Sequence, residues 1–141
     1  MITRIDLVSF GICQVTNELP TASTDSPTGY VLHGYSIVFT DESDTFRIEQ
    51  GITFGIHYLL EGIEEENAET FEVTIIHPVL THPDTAIAYK TVKETKYSCI
   101  GETCFDYFNF DYAWETKPGT WVFQVAQSER LLLEKAFTVY S

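Results

Sequence analysis

Side chains two apart in this chain share their character over most of its length, a period that suits β-strands and not helices. The stretch 52–60 shows it most clearly. Ile52, Phe54, Ile56, Tyr58 and Leu60 fall on one face, and Thr53, Gly55, His57 and Leu59 on the other. Phe71, Val73 and Ile75 alternate with Glu72, Thr74 and Ile76 in the same way. Ile5 and Leu7 begin a run whose apolar phase passes to Val8, Phe10 and Ile12. Such a slip predicts a bulge at 7–8. Tyr35, Ile37 and Phe39 mark another strand, closed by Asp41-Glu42-Ser43-Asp44. Stretch 89–99 is polar on both faces, and Lys90, Lys93 and Lys96 along it mark a protected edge. Stretch 105–110 is a further short strand.

The last segment pulls two ways. Residues 127–136 carry helix formers, and Ser128 could cap a helix there. However, Leu131, Leu133, Phe137 and Val139 share a period-two face, and Trp121, Phe123 and Val125 need an antiparallel neighbour. A closing hairpin is the expectation.

Loop signals separate these runs. Residues 17–29 are rich in Pro, Thr and Ser, residues 62–69 are acidic, and Lys117-Pro118-Gly119 is a turn. Pro78 lacks an N–H and is expected to end its ladder, with His77-Pro78 through His82-Pro83-Asp84 as a stiff crossing. Seven to eight short strands at this spacing predict an all-β chain. Its expected architecture is an immunoglobulin-like antiparallel β-sandwich, one domain spanning 1–141.

Charge narrows the partners. Eight Lys and Arg against 21 Asp and Glu give −13, a field that repels phosphate backbones and anionic lipid. No nucleic-acid or membrane-surface role is expected. Nowhere do 18 apolar residues run together, and the first residues meet Arg4 and Asp6 before any apolar core of a leader forms. The expected location is the cytoplasm. Cys13, Cys99 and Cys104 make an odd count, which favours free thiols in a reducing compartment. Cys99 and Cys104 could still face each other across a tight hairpin.

The order of several short motifs is also informative. Pro27-Thr28-Gly29-Tyr30 is followed by Gly51 to Tyr58 with Phe54-Gly55-Ile56, then His77-Pro78 and Pro83-x-Thr85. Trp114-Glu115, Pro118-Gly119-x-Trp121-x-Phe123-Gln124 and Phe137-x-Val139 complete the series. This order resembles a bacterial family of short proteins known only as a domain of unknown function, over about residues 5–139. The resemblance implies a single β-domain and the closing hairpin, and carries no activity, cofactor or catalytic residue.

Reactive constellations are sparse. His77, His82 and Asp84 lie close in sequence, but both histidines precede proline and nothing makes them converge on a metal. Acidic runs 41–44 and 64–67 lack the ligand alternation and internal glycine of a calcium loop. No nucleophile elbow, phosphate-cradling glycine loop or dinucleotide fingerprint occurs. No enzyme, cofactor or metal is expected. Binding candidates come from the aromatic cluster, where alternation puts Phe108, Phe110, Tyr112 and Trp114 on the face opposite Phe105 and Tyr107. One face fills the core and the other is free to stack on a sugar ring or a partner. Two function classes follow. The leading one is a non-enzymatic interaction module that binds another protein, or itself, through loops or an uncovered sheet edge. The other is a small-ligand or carbohydrate-binding domain that uses those aromatics.

Overall fold

A computed structural model describes residues 1–16, 18–34 and 36–141. Its strands are β1 (Ile2–Thr16), β2 (Leu19–Ala22), β3 (Tyr30–His33), β4 (Ser36–Asp41), β5 (Thr45–Arg47), β6 (Thr53–Gly62), β7 (Glu69–Thr81), β8 (Ala88–Ser98), β9 (Thr103–Asn109), β10 (Gly119–Gln127) and β11 (Arg130–Tyr140). A single 3-10 turn, Ala113–Glu115, joins β9 to β10. One sheet has the order β4-β1-β6-β9, the other β5-β11-β10-β7-β8, and β2-β3 forms a separate hairpin. Nine strands build the two sheets, and the eight of them that have six or more residues match the expected count. The three short ones, β2, β3 and β5, were beyond reach of a periodicity argument. Among the described residues, all pairings are antiparallel except that of β5 with β11.

The alternation of stretch 52–60 becomes the inner face of β6. Phe54, Ile56, Tyr58 and Leu60 are all fully buried. Phe54 sits at the centre of an aromatic core, its ring 5.2 to 5.7 Å from those of Phe46, Phe110, Trp121, Phe123 and Phe137. Edge-on contacts dominate, as ring quadrupoles require, and full burial of a Phe contributes about 2–3 kcal/mol. Gly55 lies on the opposite face, where a Cβ would come within 2.1 Å of the Asp106 carbonyl oxygen. Only glycine lets β9 cross there.

The bulge expected at 7–8 is present: pairing with β6 steps from Leu7 to Ser9, and Val8 is left exposed. Tyr35, assigned to the strand that became β4, lies outside the described residues, as does Asn17 of the loop before it. The closing hairpin forms as expected, turning through Ser128 and Glu129, both at positive φ. Two consecutive left-handed residues match the right-handed twist of the flanking strands.

Several expectations need correction, beginning with the loop at 17–29, within which Leu19–Ala22 forms β2. Pro78 interrupts its ladder without ending the strand. Register with β8 jumps from Ile76 to Leu80 and then resumes, so the proline occupies a bulge where no N–H is needed. Residues 82–87 consequently form a hairpin turn between β7 and β8, not a crossing between sheets. Residues 99–102 are a crossing and not a hairpin, because β8 and β9 belong to different sheets. Cys99 is exposed, Cys104 is half-buried, Cys13 is buried, and all three are free thiols. Finally, Leu131 is exposed, because a bulge between Val125 and Ala126 shifts the register at that end. Leu132 and Leu133 pack on the core in its place.

Candidate functional site

Two sheet edges meet along one side of the sandwich without pairing. β8 is the last strand of the five-stranded sheet, and β9 the last of the four-stranded sheet. Even-numbered residues of the β9 segment turn their backbone toward β6, as the bonds from Leu60 N–H to the Glu102 oxygen and from Phe110 N–H to the Ile52 oxygen show. The pleat therefore turns Thr103, Phe105, Tyr107 and Asn109 outward. Of their carbonyls, that of Phe105 accepts a side-chain bond from Lys96 Nζ at 2.9 Å.

A cavity of about 330 Å³ occupies this seam and runs along the whole of β9. Val73, Ile75, Val92 and Phe108 supply its apolar floor. The β2-β3 hairpin roofs it with Tyr30, Val31, Leu32 and His33. Pro27, at the hairpin's turn, is buried against it. A few polar links hold the roof. Lys93 N–H donates to the Asp25 carbonyl at 3.2 Å, His33 Nε2 pairs with Glu94, and the Tyr30 and Tyr112 hydroxyls share a bond of 2.9 Å. Asn109 Nδ2 donates to Glu18 just before β2 at 2.7 Å.

One end of the seam carries a buried polar network. Lys96 Nζ donates to Asp106 Oδ1 at 3.0 Å, and the Tyr58 hydroxyl donates to Asp106 Oδ2 at 2.6 Å. Burial pushes the Lys96 ammonium down, but the charge of Asp106 and its hydrogen bond outweigh that and leave its pKa raised. Burial, reinforced by Asp106, pushes the Tyr58 phenol well above its usual range. Lys96 is therefore a structural cation, not one of the exposed edge lysines expected from the sequence.

The other end is acidic. Glu115 is 3% exposed, and its Oε1 accepts from the backbone N–H groups of Asp111 (2.8 Å) and Tyr112 (2.9 Å). Burial pushes its carboxyl up to about 7, against those two hydrogen bonds. Asp111, at the rim, is raised by burial and by the charge of Glu18.

The candidate aromatics divide. Phe110 is fully buried in the core, since its ring faces Phe54 and Trp121, so it is a packing residue. Phe108 packs on Trp121 at 4.7 Å and also lines the cavity. Tyr112 and Trp114 stack at 5.9 Å outside the cavity; Tyr112 is exposed, and Trp114 also leans on His82. His77 is buried with its ring 5.1 Å from Trp121, and His82 accepts from Asp84 N–H, so that trio does not converge. Among the described residues, no three His, Cys, Asp or Glu side chains are placed to hold a metal. Glu115 was visible only within the Trp114-Glu115 motif, and nothing set it apart from 20 other acids.

Two sheets, an aromatic core and an open seam define an immunoglobulin-like β-sandwich. An immunoglobulin-like protein from Pseudomonas aeruginosa has the same fold, with a TM-score of 0.66 and 17% identity over 98% of each chain. A β-D-glucoside glucohydrolase from Trichoderma reesei overlaps 97% of this chain and 19% of its own at a TM-score of 0.35 and 17% identity, too loose to bear on fold or function. The chain belongs to the family described as a domain of unknown function (DUF3859), which matches residues 3–139. No curated protein matches it. No described helix is long and apolar enough to cross a membrane.

Proposed function

We propose that this domain is a non-enzymatic binding module whose seam cavity takes a small amphipathic molecule. The observation that carries this reading is the cavity itself. Its volume of about 330 Å³ reaches the range of small-molecule sites, with apolar walls and a few placed polar groups. Its one thiol, Cys104, is pushed up by burial, which argues against a nucleophile. Fragment screening by amide chemical shifts tests the reading. Hits should cluster on β8, β9 and the hairpin, and Val92→Phe, which fills the floor, should remove them. Hits scattered over the surface, or unaffected by Val92→Phe, would overturn it.

A second reading rests on a separate observation. The outward amides of Thr103, Tyr107 and Asn109 form no backbone hydrogen bonds among the described residues. An extended segment of a protein partner could add to that edge as a strand. Hydrogen exchange separates the two readings, because strand addition protects alternate β9 amides and a small ligand protects only those it touches.

A further inference from the structure

We infer that the molecule held in the seam cavity carries an organic ammonium group, seated against the Glu115 carboxyl. This inference rests on the small-ligand reading above. Four carboxyl groups line the cavity, those of Glu94, Asp106, Asp111 and Glu115, and their pairing is uneven. Asp106 is balanced by the Lys96 ammonium, and Glu94 is in direct contact with His33 Nε2. Glu115 and Asp111 have no Lys, Arg or His partner among the described residues. The carboxyls without a cationic partner are therefore gathered where the 3-10 turn closes the seam.

The Glu115 carboxyl is held in place before any ligand arrives. Two backbone N–H groups fix Oε1, while Oε2 has no hydrogen-bond partner among the described residues. Oε2 is also absent from the buried atoms left unsatisfied, so it keeps contact with open space, and its residue lines the cavity. A buried carboxyl without a cation is costly, and its high pKa reports that cost. A donor with positive charge removes it. Among the described residues, no three His, Cys, Asp or Glu side chains are grouped there to hold a metal ion. An ammonium on an apolar stem satisfies both the carboxyl and the floor.

The test uses three probes of equal length: hexylammonium, hexanol and hexanoate. Titration calorimetry gives affinity and amide shifts give location. Hexylammonium should bind about tenfold tighter than hexanol, the usual gap between a charge-assisted and a neutral hydrogen bond. Its shifts should centre on residues 111–115. Glu115→Gln keeps a carbonyl for both backbone N–H groups and removes the charge. It should abolish the ammonium preference while leaving hexanol affinity unchanged. Equal affinity for hexanol, or tighter binding of hexanoate at the seam, would overturn the ammonium assignment and leave the cavity reading intact. Shifts confined to the acidic loops 41–44 and 64–69 would show surface attraction only and would also overturn it. Failure of all three probes to shift β8 or β9 amides would overturn both readings.

Discussion

Replacing Lys96 by Met gives the most direct check on how the seam is held open. Methionine keeps the apolar stem and removes the ammonium that bonds Asp106 and the Phe105 carbonyl. Asp106, 7% exposed, would retain only the Tyr58 hydroxyl at 2.6 Å. Removing one partner of a buried pair costs about 3–5 kcal/mol, because the other charge is left uncompensated. The Lys96 side chain keeps 20% exposure, so water reaches the site and the lower end applies, about 3 kcal/mol. For a chain of 141 residues, each kcal/mol shifts the midpoint by about 4 °C, so Tm should fall roughly 12 °C. The raised Lys96 pKa means its contribution is complete below the ordinary lysine value and fades only as pH rises through the folded one. An assay at pH 7 therefore reads it in full. Urea denaturation followed by tryptophan fluorescence gives the free energy. The double variant Lys96→Met/Asp106→Asn removes both charges and keeps an acceptor for the Tyr58 hydroxyl, so it should recover at least about 1 kcal/mol of the single variant's loss. A single variant within about 1 kcal/mol of the parent, or a double variant no better than the single, would refute the reasoning.

Three further outcomes follow from the same geometry. Glu115 folds with its pKa raised to about 7, so the folded state binds more protons than the unfolded one between the ordinary glutamate value and 7. Stability should fall as pH rises through that window, by on the order of 2 kcal/mol, and Glu115→Gln should flatten the slope in denaturation curves. Thiol titration of the native protein should show one fast group, Cys99, removed by Cys99→Ser. Cys13, buried with its thiol pushed up to about 12, should react only after unfolding. Leu131→Lys should change stability by less than about 0.5 kcal/mol, since that side chain faces solvent. A loss above about 2 kcal/mol would restore Leu131 to the core.

The sandwich was legible because its signal repeats: β6, β7 and the closing hairpin each bury alternate side chains on one face. Errors arose where a bulge breaks that repeat, at Pro78 and near Leu131, since one extra residue reverses every later side chain. Lys96 looked like an edge lysine because its partner, Asp106, lies on a strand of the other sheet. The cavity was invisible for a similar reason. It belongs to the space between β8 and β9, two strands that are neighbours in sequence but share no ladder. Glu115 gained its character only from burial and two backbone N–H groups, neither of which composition records.

The chain enters β9 from one sheet at residues 99–102 and leaves it for the same sheet through Ala113–Glu115. Covalent bonds thus close both ends of the slot, while its roof rests on a handful of polar links. The ligand proposed above would meet walls tied together by the chain at each end and a cover held only by those links. Such a box would sort its contents by how long they are far more strictly than by how thick.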